Sequence, residues 1–102
     1  MEEQTDKLVV NKNKDFKYEL SGAGSGLVQA YGEITGIELY FRAKYDEWTF
    51  DVANDVGMLP SDGGQGGYFK KSKCKNAGYM TLSKAEKIIS ECIDDYLQKK
   101  NT

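Results

Sequence analysis

The chain of 102 residues contains no histidine, and this absence excludes several kinds of active site. Ser-His-Asp and Cys-His hydrolysis both require histidine for proton transfer, so neither can operate within this chain. Only two cysteines are present, Cys74 and Cys92, and they have no companions at the spacing of zinc ligands. We therefore expect two reduced thiols, no metal and no cofactor.

Net charge is also small, at -2, and long apolar runs are missing. Proteins that bind nucleic acid have a basic surface, so this composition disfavours DNA and RNA as partners. No stretch approaches the roughly 18 apolar residues of a membrane-spanning helix. The opening residues, "MEEQTDK", are acidic and polar, unlike a secretory signal peptide. These features predict a cytoplasmic protein that does not bind a membrane.

The length suits one compact domain, since two domains of half this size would each bury too little apolar surface. Residues 1–7 are charged and patternless, and we expect a flexible N-terminus there. The remaining residues, 8–102, are expected to form a single α+β domain. Its first strand is predicted around 8–10, and Phe16, Tyr18 and Leu20 alternate with charged residues as in a half-buried strand.

The segment 27–53 carries the clearest strand pattern. A two-residue turn at Thr35-Gly36 pairs Ile34 with Ile37, and a second at Tyr45-Asp46 pairs Lys44 with Glu47. Both turns place the apolar residues of three strands on one face, so they predict one register. Threonine is a poor residue for the left-handed conformation of such a turn, and a three-residue turn is the alternative. That alternative would direct polar residues into the core, so the first register is favoured.

A single helix is predicted near the end of the sequence. Apolar residues recur there at helical spacing: Ala85, Ile88, Ile89, Cys92, Ile93, Tyr96 and Leu97. Ser83 and Glu86 have the spacing of a capping box. The predicted fold is therefore α+β, an antiparallel meander of four to five strands with this C-terminal helix packed on one face.

Two glycine-rich stretches join the predicted strands. In "SGAGSG", at 21–26, the glycines alternate and a strand follows, whereas a dinucleotide fingerprint needs another spacing and a helix. We expect a strand connector there. The stretch 54–67 holds five glycines and the only proline, which predicts a long loop with room for a binding role. In a meander the two loops lie at opposite ends of the sheet.

The predicted solvent face of the sheet is the best candidate for an interaction surface. Tyrosine and arginine are enriched in protein interfaces, where they offer large contact areas and directed hydrogen bonds. The alternative without a binding role is that these side chains form ordinary cross-strand pairs on a solvent-exposed sheet face. The candidate partner-binding residues are Tyr31, Tyr40, Arg42, Thr49 and Asp51.

An anion or nucleotide site is the alternative function. It would form where the first glycine loop, nearby lysines and the helix N-terminus meet, since helix N-termini attract anions. The lysines also have a simpler explanation, because charged edge strands resist unwanted pairing. The candidate anion-binding residues are Gly24, Gly26, Lys73, Lys75 and Ser83.

Catalysis is not expected. Glu33 and Glu38 are predicted opposite each other, but at an exposed turn where neither needs the perturbed pKa that acid-base chemistry requires. In size, mild acidity and lack of catalytic groups, the chain is similar to small inhibitor proteins of bacteria and phages, such as immunity and anti-defence proteins. This is a resemblance of type and assigns no residues. It implies a non-catalytic protein that binds and inhibits a protein partner. The residue patterns described above, and not the resemblance, place that binding on the sheet face and a glycine-rich loop, 54–67.

Overall fold

The computed structural model describes residues 7–12, 16–54, 56–60 and 63–100. The predicted flexible segment, 1–7, lies outside these residues except for Lys7. The sheet strands are β1 (Lys7–Lys12), β2 (Phe16–Ser21), β3 (Leu27–Ile34), β4 (Ile37–Lys44), β5 (Glu47–Val52) and β6 (Tyr68–Lys73). A short 3-10 helix (Ala77–Tyr79) precedes the helix α1 (Leu82–Lys100).

The strands form an antiparallel meander in the order β1-β2-β3-β4-β5-β6, and α1 packs against it. This confirms the predicted α+β fold, with six strands in the sheet. Each strand pairs with its neighbour in sequence, so short turns determine most of the registers.

Both predicted tight turns are confirmed. Thr35 and Gly36 have φ angles of 48° and 84°, and Ile34 pairs with Ile37. Two left-handed residues are what a type I′ hairpin requires, even though threonine adopts this conformation reluctantly. Tyr45, with φ 58°, begins the second turn, and Lys44 pairs with Glu47 as expected.

One face of the sheet, here called the helix face, forms the core with α1. Alternate residues of β2 to β5 and one stripe of α1 are buried there, since strand residues point to opposite faces in turn. The buried core residues of these elements are Tyr18, Leu20, Val28, Ala30, Ile34, Leu39, Phe41, Ala43, Phe50, Val52, Ala85, Ile89, Cys92 and Ile93. The helical stripe predicted from the sequence is confirmed.

Gly32 makes a close approach between β2 and β3 on the helix face. It pairs with Tyr18, whose side chain is almost completely buried. A Cβ atom at Gly32 would collide with the Lys17 carbonyl oxygen and lie 2.5 Å from the Tyr18 Cα. Only glycine therefore allows the Tyr18 ring to cover this part of β3 at the observed strand spacing.

The predicted capping box of Ser83 and Glu86 is wrong. The helix begins at Leu82 and not at Lys84, which a cap at Ser83 would require, and its N-cap is Thr81. The Lys84 backbone N–H donates to the Thr81 hydroxyl oxygen at 3.1 Å, which satisfies one of the free donors of the first turn. Ser83 lies within that turn, where its hydroxyl is exposed.

The two glycine loops lie at opposite ends of the sheet, as predicted. At one end, the backbone N–H of Asn76 donates to the Asp46 carboxylate at 2.9 Å, and Gly78 packs against Gly26. At the other end, Asn54 organises the long loop. Its side chain donates to the Gln65 carbonyl oxygen at 2.9 Å and accepts from the Met58 backbone N–H at 2.9 Å.

Among the described residues, α1 is too polar to count as a membrane-spanning helix, and no other helix is long enough. Cys74 is half-buried and Cys92 is buried, and both are free thiols.

Candidate functional site: the open sheet face

The sheet surface that points away from α1 is here called the open face. Strand alternation places on it the residues that separate the buried ones along each strand. Its central ladder row runs across five strands, with each residue paired to the next: Glu19, Tyr31, Tyr40, Asp51 and Phe69. Three of these five side chains are aromatic, so the middle of a polar surface carries a band of rings.

Tyr31 and Tyr40 form the centre of this band. Their ring centroids lie 4.9 Å apart, within the range of favourable aromatic contact. Both hydroxyls donate to the Gln29 side-chain oxygen, at 3.2 Å from Tyr31 and 3.4 Å from Tyr40. Partial burial, followed by the influence of Tyr31, raises the pKa of Tyr40 above its ordinary value. The pair is therefore held in place, and Tyr40 stays protonated at neutral pH.

Opposite charges flank the aromatic row. On the side nearer the 22–26 loop, the next row contains Arg42 and Lys71. On the side nearer the 35–36 turn, it contains Glu33 and Glu38, which pair directly across β3 and β4. Adjacent carboxylates repel each other, and Lys17 offsets only part of this with an exposed ion pair to Glu33 at 4.0 Å.

Arg42 is exposed and stands between uncharged neighbours, Gln29 on β3 and Thr49 on β5. Within the described part of the chain, no carboxylate lies at ion-pair distance from its guanidinium. It lines a surface cavity of about 470 Å³ together with Lys44 and Lys73. Asp46 and Glu47 line the same cavity, and Glu47 pairs with both lysines across the sheet. This end of the open face is thus a shallow hollow of mixed charge, at whose side the Arg42 guanidinium is available for a partner.

Asp51 does not fit its predicted role as a contact residue. It lies on the open face beside Tyr40, as the register required, but its side chain is fully buried. It sits on an inner strand between the aromatic residues Tyr40 and Phe69, so solvent cannot reach it. Thr49 is only half-buried. The accessible part of the predicted site therefore centres on β3 and β4, at Tyr31, Tyr40 and Arg42.

The candidate anion-binding residues are only partly brought together. Gly26 lies against Tyr79, just before α1, but Ser83 is on the helix side of the sheet, whereas Lys73 lines the cavity on the open face. The 21–26 loop also forms an internal hydrogen bond, in which the Ser25 hydroxyl donates to the Gly22 carbonyl oxygen at 2.7 Å. Gly24 and Lys75 are exposed.

A tyrosine-carboxylate pair lies on the other side of the sheet. The Tyr68 hydroxyl donates to the Asp95 carboxylate at 2.5 Å. Burial and this bond raise the pKa of Tyr68, and the same bond lowers the pKa of Asp95. Both shifts move the groups away from neutral pH, which is opposite to what acid-base catalysis needs. Burial likewise raises the pKa of the Cys92 thiol to about 12, so it is a poor nucleophile.

Two contributors to the open face were missed as candidates in the sequence. Phe69 is 46% exposed at the end of the aromatic row, and Lys44 lines the surface cavity beside Arg42. Phe69 could have been found only by fixing the register of β6, which follows a long loop and has no tight turn to define it. Lys44 stands beside the Tyr45 turn, and its ammonium lies 5.1 Å from the Tyr45 ring centroid.

The chain matches no protein-family model, and comparison with curated proteins and with solved structures finds no significant similarity. Functional conclusions therefore depend on the residues described above.

Proposed function

We propose that this chain is a non-catalytic protein-binding protein that recognises a protein partner through the open face. The observation that carries the proposal is the cluster of Tyr31, Tyr40 and Arg42, which lies on the face opposite α1 with the arginine free of any ion pair among the described residues. Tyrosine and arginine dominate the energetics of protein interfaces.

Fixed side chains favour binding because they have less conformational entropy to lose. Gln29 accepts hydrogen bonds from both tyrosines, and the two rings contact each other. The sheet beneath them is rigid because its opposite face is the core. A partner would therefore meet an ordered surface with few side chains left to immobilise.

The finer proposal is an inhibitor of the immunity or anti-defence type, acting in the cytoplasm by covering a functional surface of its partner. The 54–67 loop would supply additional contacts. Its Val56 is 83% exposed and Met58 is 46% exposed, while Asn54 holds the backbone around them. Exposed apolar side chains beside a hydrogen-bonded backbone are suited to docking.

The test is a double substitution, Tyr40→Ala with Arg42→Ala. Affinity capture from the native cell, with mass spectrometry, identifies candidate partners, and titration calorimetry with the purified partner measures affinity. We expect at least about a 100-fold loss, as for two interface hot spots. The matched control, Tyr79→Ala with Lys87→Ala, removes another exposed tyrosine and cation away from the open face and should bind normally. Unchanged affinity in the first variant would reject the proposal.

The alternative function, an anion or nucleotide site, has one supporting observation, the three cations Arg42, Lys44 and Lys73 around one hollow. Asp46 and Glu47 in the same lining offset part of that positive charge. Inorganic polyphosphate and nucleotides can be screened by thermal unfolding. A site filled at a hundred times its Kd would stabilise the fold by about 2.7 kcal/mol. A shift that disappears in Arg42→Ala would support this alternative, and no shift with any phosphate compound would remove it.

A further inference from the structure

Three successive outward side chains of β4 are an acid, an aromatic and a base, and Lys44 follows them at the end of the strand. Glu38, Tyr40 and Arg42 all point to the open face, at every second position of one strand near the middle of the sheet. Glu38 and Arg42 are exposed, and neither has an ion-pair partner within the described residues. Glu38 and Arg42 therefore lie at equal distances on either side of Tyr40 along β4 and carry opposite charges.

Glu38 and Arg42 of one chain are too far apart to form an ion pair with each other. Four residues of extended strand place their Cα atoms about 14 Å apart, and strand side chains stand roughly perpendicular to the sheet. Glu38 is in addition paired with Glu33, an arrangement of like charges that destabilises the isolated sheet. A cation supplied from outside would relieve that repulsion.

We infer that the open face binds a second copy of this chain, face to face, in a symmetric dimer. This inference rests on the proposed function, because it takes the open face as the recognition surface and assigns to it a further occupant, a second copy of the chain. A twofold axis in the interface, perpendicular to the strands and above Tyr40, reverses the direction of β4 in the second copy. Glu38 then faces the second copy's Arg42, and Arg42 faces the second copy's Glu38.

The neighbouring strand agrees with this arrangement. On β3 the same axis passes over Tyr31, so Gln29 faces the second copy's Glu33, a donor opposite an acceptor. The tyrosines of both copies meet at the axis, where exposed rings are covered. An axis parallel to the strands and above β4 would instead bring Arg42 against the second copy's Arg42, and Glu38 against its Glu38. The first arrangement gives both of these charges an opposite partner, although Glu19 on β2 then meets its own counterpart, so charge favours it.

The size of the face predicts a weak dimer. The six strands lie about 4.8 Å apart and are each about 17 Å long, which gives the face a flat area of about 500 Å². This is below the roughly 800 Å² per partner of a stable interface. Asp51 and its surroundings are already buried, which reduces the accessible area further. We therefore expect dimerisation with a micromolar or weaker Kd.

Charge reversal tests the inference directly by sedimentation velocity, over concentrations from about 1 µM to 1 mM. The wild type should shift from monomer to dimer as concentration rises, and less so in high salt. Arg42→Glu alone and Glu38→Arg alone should each remain monomeric, because like charges then meet. An equal mixture of the two variants should form heterodimers, and the chain that carries both substitutions should dimerise again.

Lys87→Glu is the matched control, since it makes the same change of charge on the exposed surface of α1. It should leave self-association unchanged. A wild type that stays monomeric at the highest concentration would overturn the inference, as would single variants that dimerise like the wild type. A monomeric chain that loses a different protein partner on Tyr40→Ala with Arg42→Ala would overturn the dimer alone and leave the proposed function standing.

Discussion

The two faces of the sheet share the same strands and differ in almost everything else. On β4, Phe41 is fully buried beneath α1, while its neighbours Tyr40 and Arg42 point the other way and keep part of their surface in solvent. The helix face excludes charge from β2 to β5, whereas the open face carries tyrosines between a basic and an acidic side. Apolar burial thus holds the fold together on one side and leaves the other side free for recognition.

The largest expected difference is between Phe41→Ala and Tyr40→Ala. Phe41 is in the core, so its truncation should cost about 3–5 kcal/mol of unfolding free energy through lost burial and a cavity. Tyr40 loses mainly its contact with Tyr31, and we expect a cost of about 1 kcal/mol. Urea unfolding followed by Trp48 fluorescence measures both. Equal costs would show that the open face also stabilises the fold.

Gly32→Ala should have the next largest effect on stability. The added methyl group would collide with the Lys17 backbone beneath Tyr18, and overpacking of this kind costs about 1–3 kcal/mol. Gly24→Ala is the control, because it has the strained φ of 82° but nothing within 4 Å. The same urea experiment compares them. A larger loss in Gly24→Ala would mean that backbone conformation matters more than strand spacing.

Alkaline pH should destabilise the fold, chiefly through titratable groups buried on the helix face. Burial raises the pKa of Tyr18 above its ordinary value of 10.0 and that of Cys92 to about 12, from 9.0. The folded state therefore keeps protons that the unfolded chain releases. The contribution of these two groups to the free energy of unfolding is fully present below about pH 9 and is lost as pH rises through their folded-state pKa values. Unfolding in urea over a series of pH values follows this loss.

Tyr18→Phe isolates one contribution to that alkaline loss. The Tyr18 hydroxyl is buried, and no described residue forms a hydrogen bond with it. Its removal should leave stability at neutral pH unchanged or raise it by up to about 1 kcal/mol, and should reduce the loss at high pH. A clear loss of stability at neutral pH would contradict the assignment of this hydroxyl.

The smallest effect is expected at the turn between the two central strands, which belongs to neither face. Thr35 has φ 48°, a conformation that asparagine adopts more readily than threonine. Thr35→Asn should raise the midpoint of urea unfolding slightly, by about 0.5 kcal/mol in free energy, without changing self-association. A destabilised variant would indicate that the Thr35 hydroxyl bond to the Ile34 carbonyl oxygen, at 2.6 Å, outweighs the strain.

Much of the fold could be predicted from the sequence because tight turns and alternation act locally. Thr35-Gly36 and Tyr45-Asp46 each fix a register within two residues, and a wrong register would have buried charged side chains. The helix followed from its apolar stripe, but its start did not. Thr81 and Ser83 are both plausible N-caps, and only the path of the chain from Met80 decides between them.

The sequence predicted which residues lie on the open face, but not which of them solvent can reach. The strand pattern placed Asp51 there, yet its burial depends on rings of neighbouring strands, including Phe69 after the long loop. Likewise, nothing in the local sequence indicates that Tyr68 reaches Asp95, which is 27 positions away along the chain. Contacts of this kind depend on how separate elements pack, and alternation alone does not determine them.

The central claim is that the open face binds a second copy of this chain, and backbone amide NMR tests it most directly. Spectra of the wild-type chain recorded at increasing concentration should show shifts or broadening on β3 and β4, around Tyr31, Tyr40 and Arg42. Amides along the exposed surface of α1, such as Lys87 and Glu91, should stay unchanged. Changes confined to α1 or to the 22–26 loop would contradict the account.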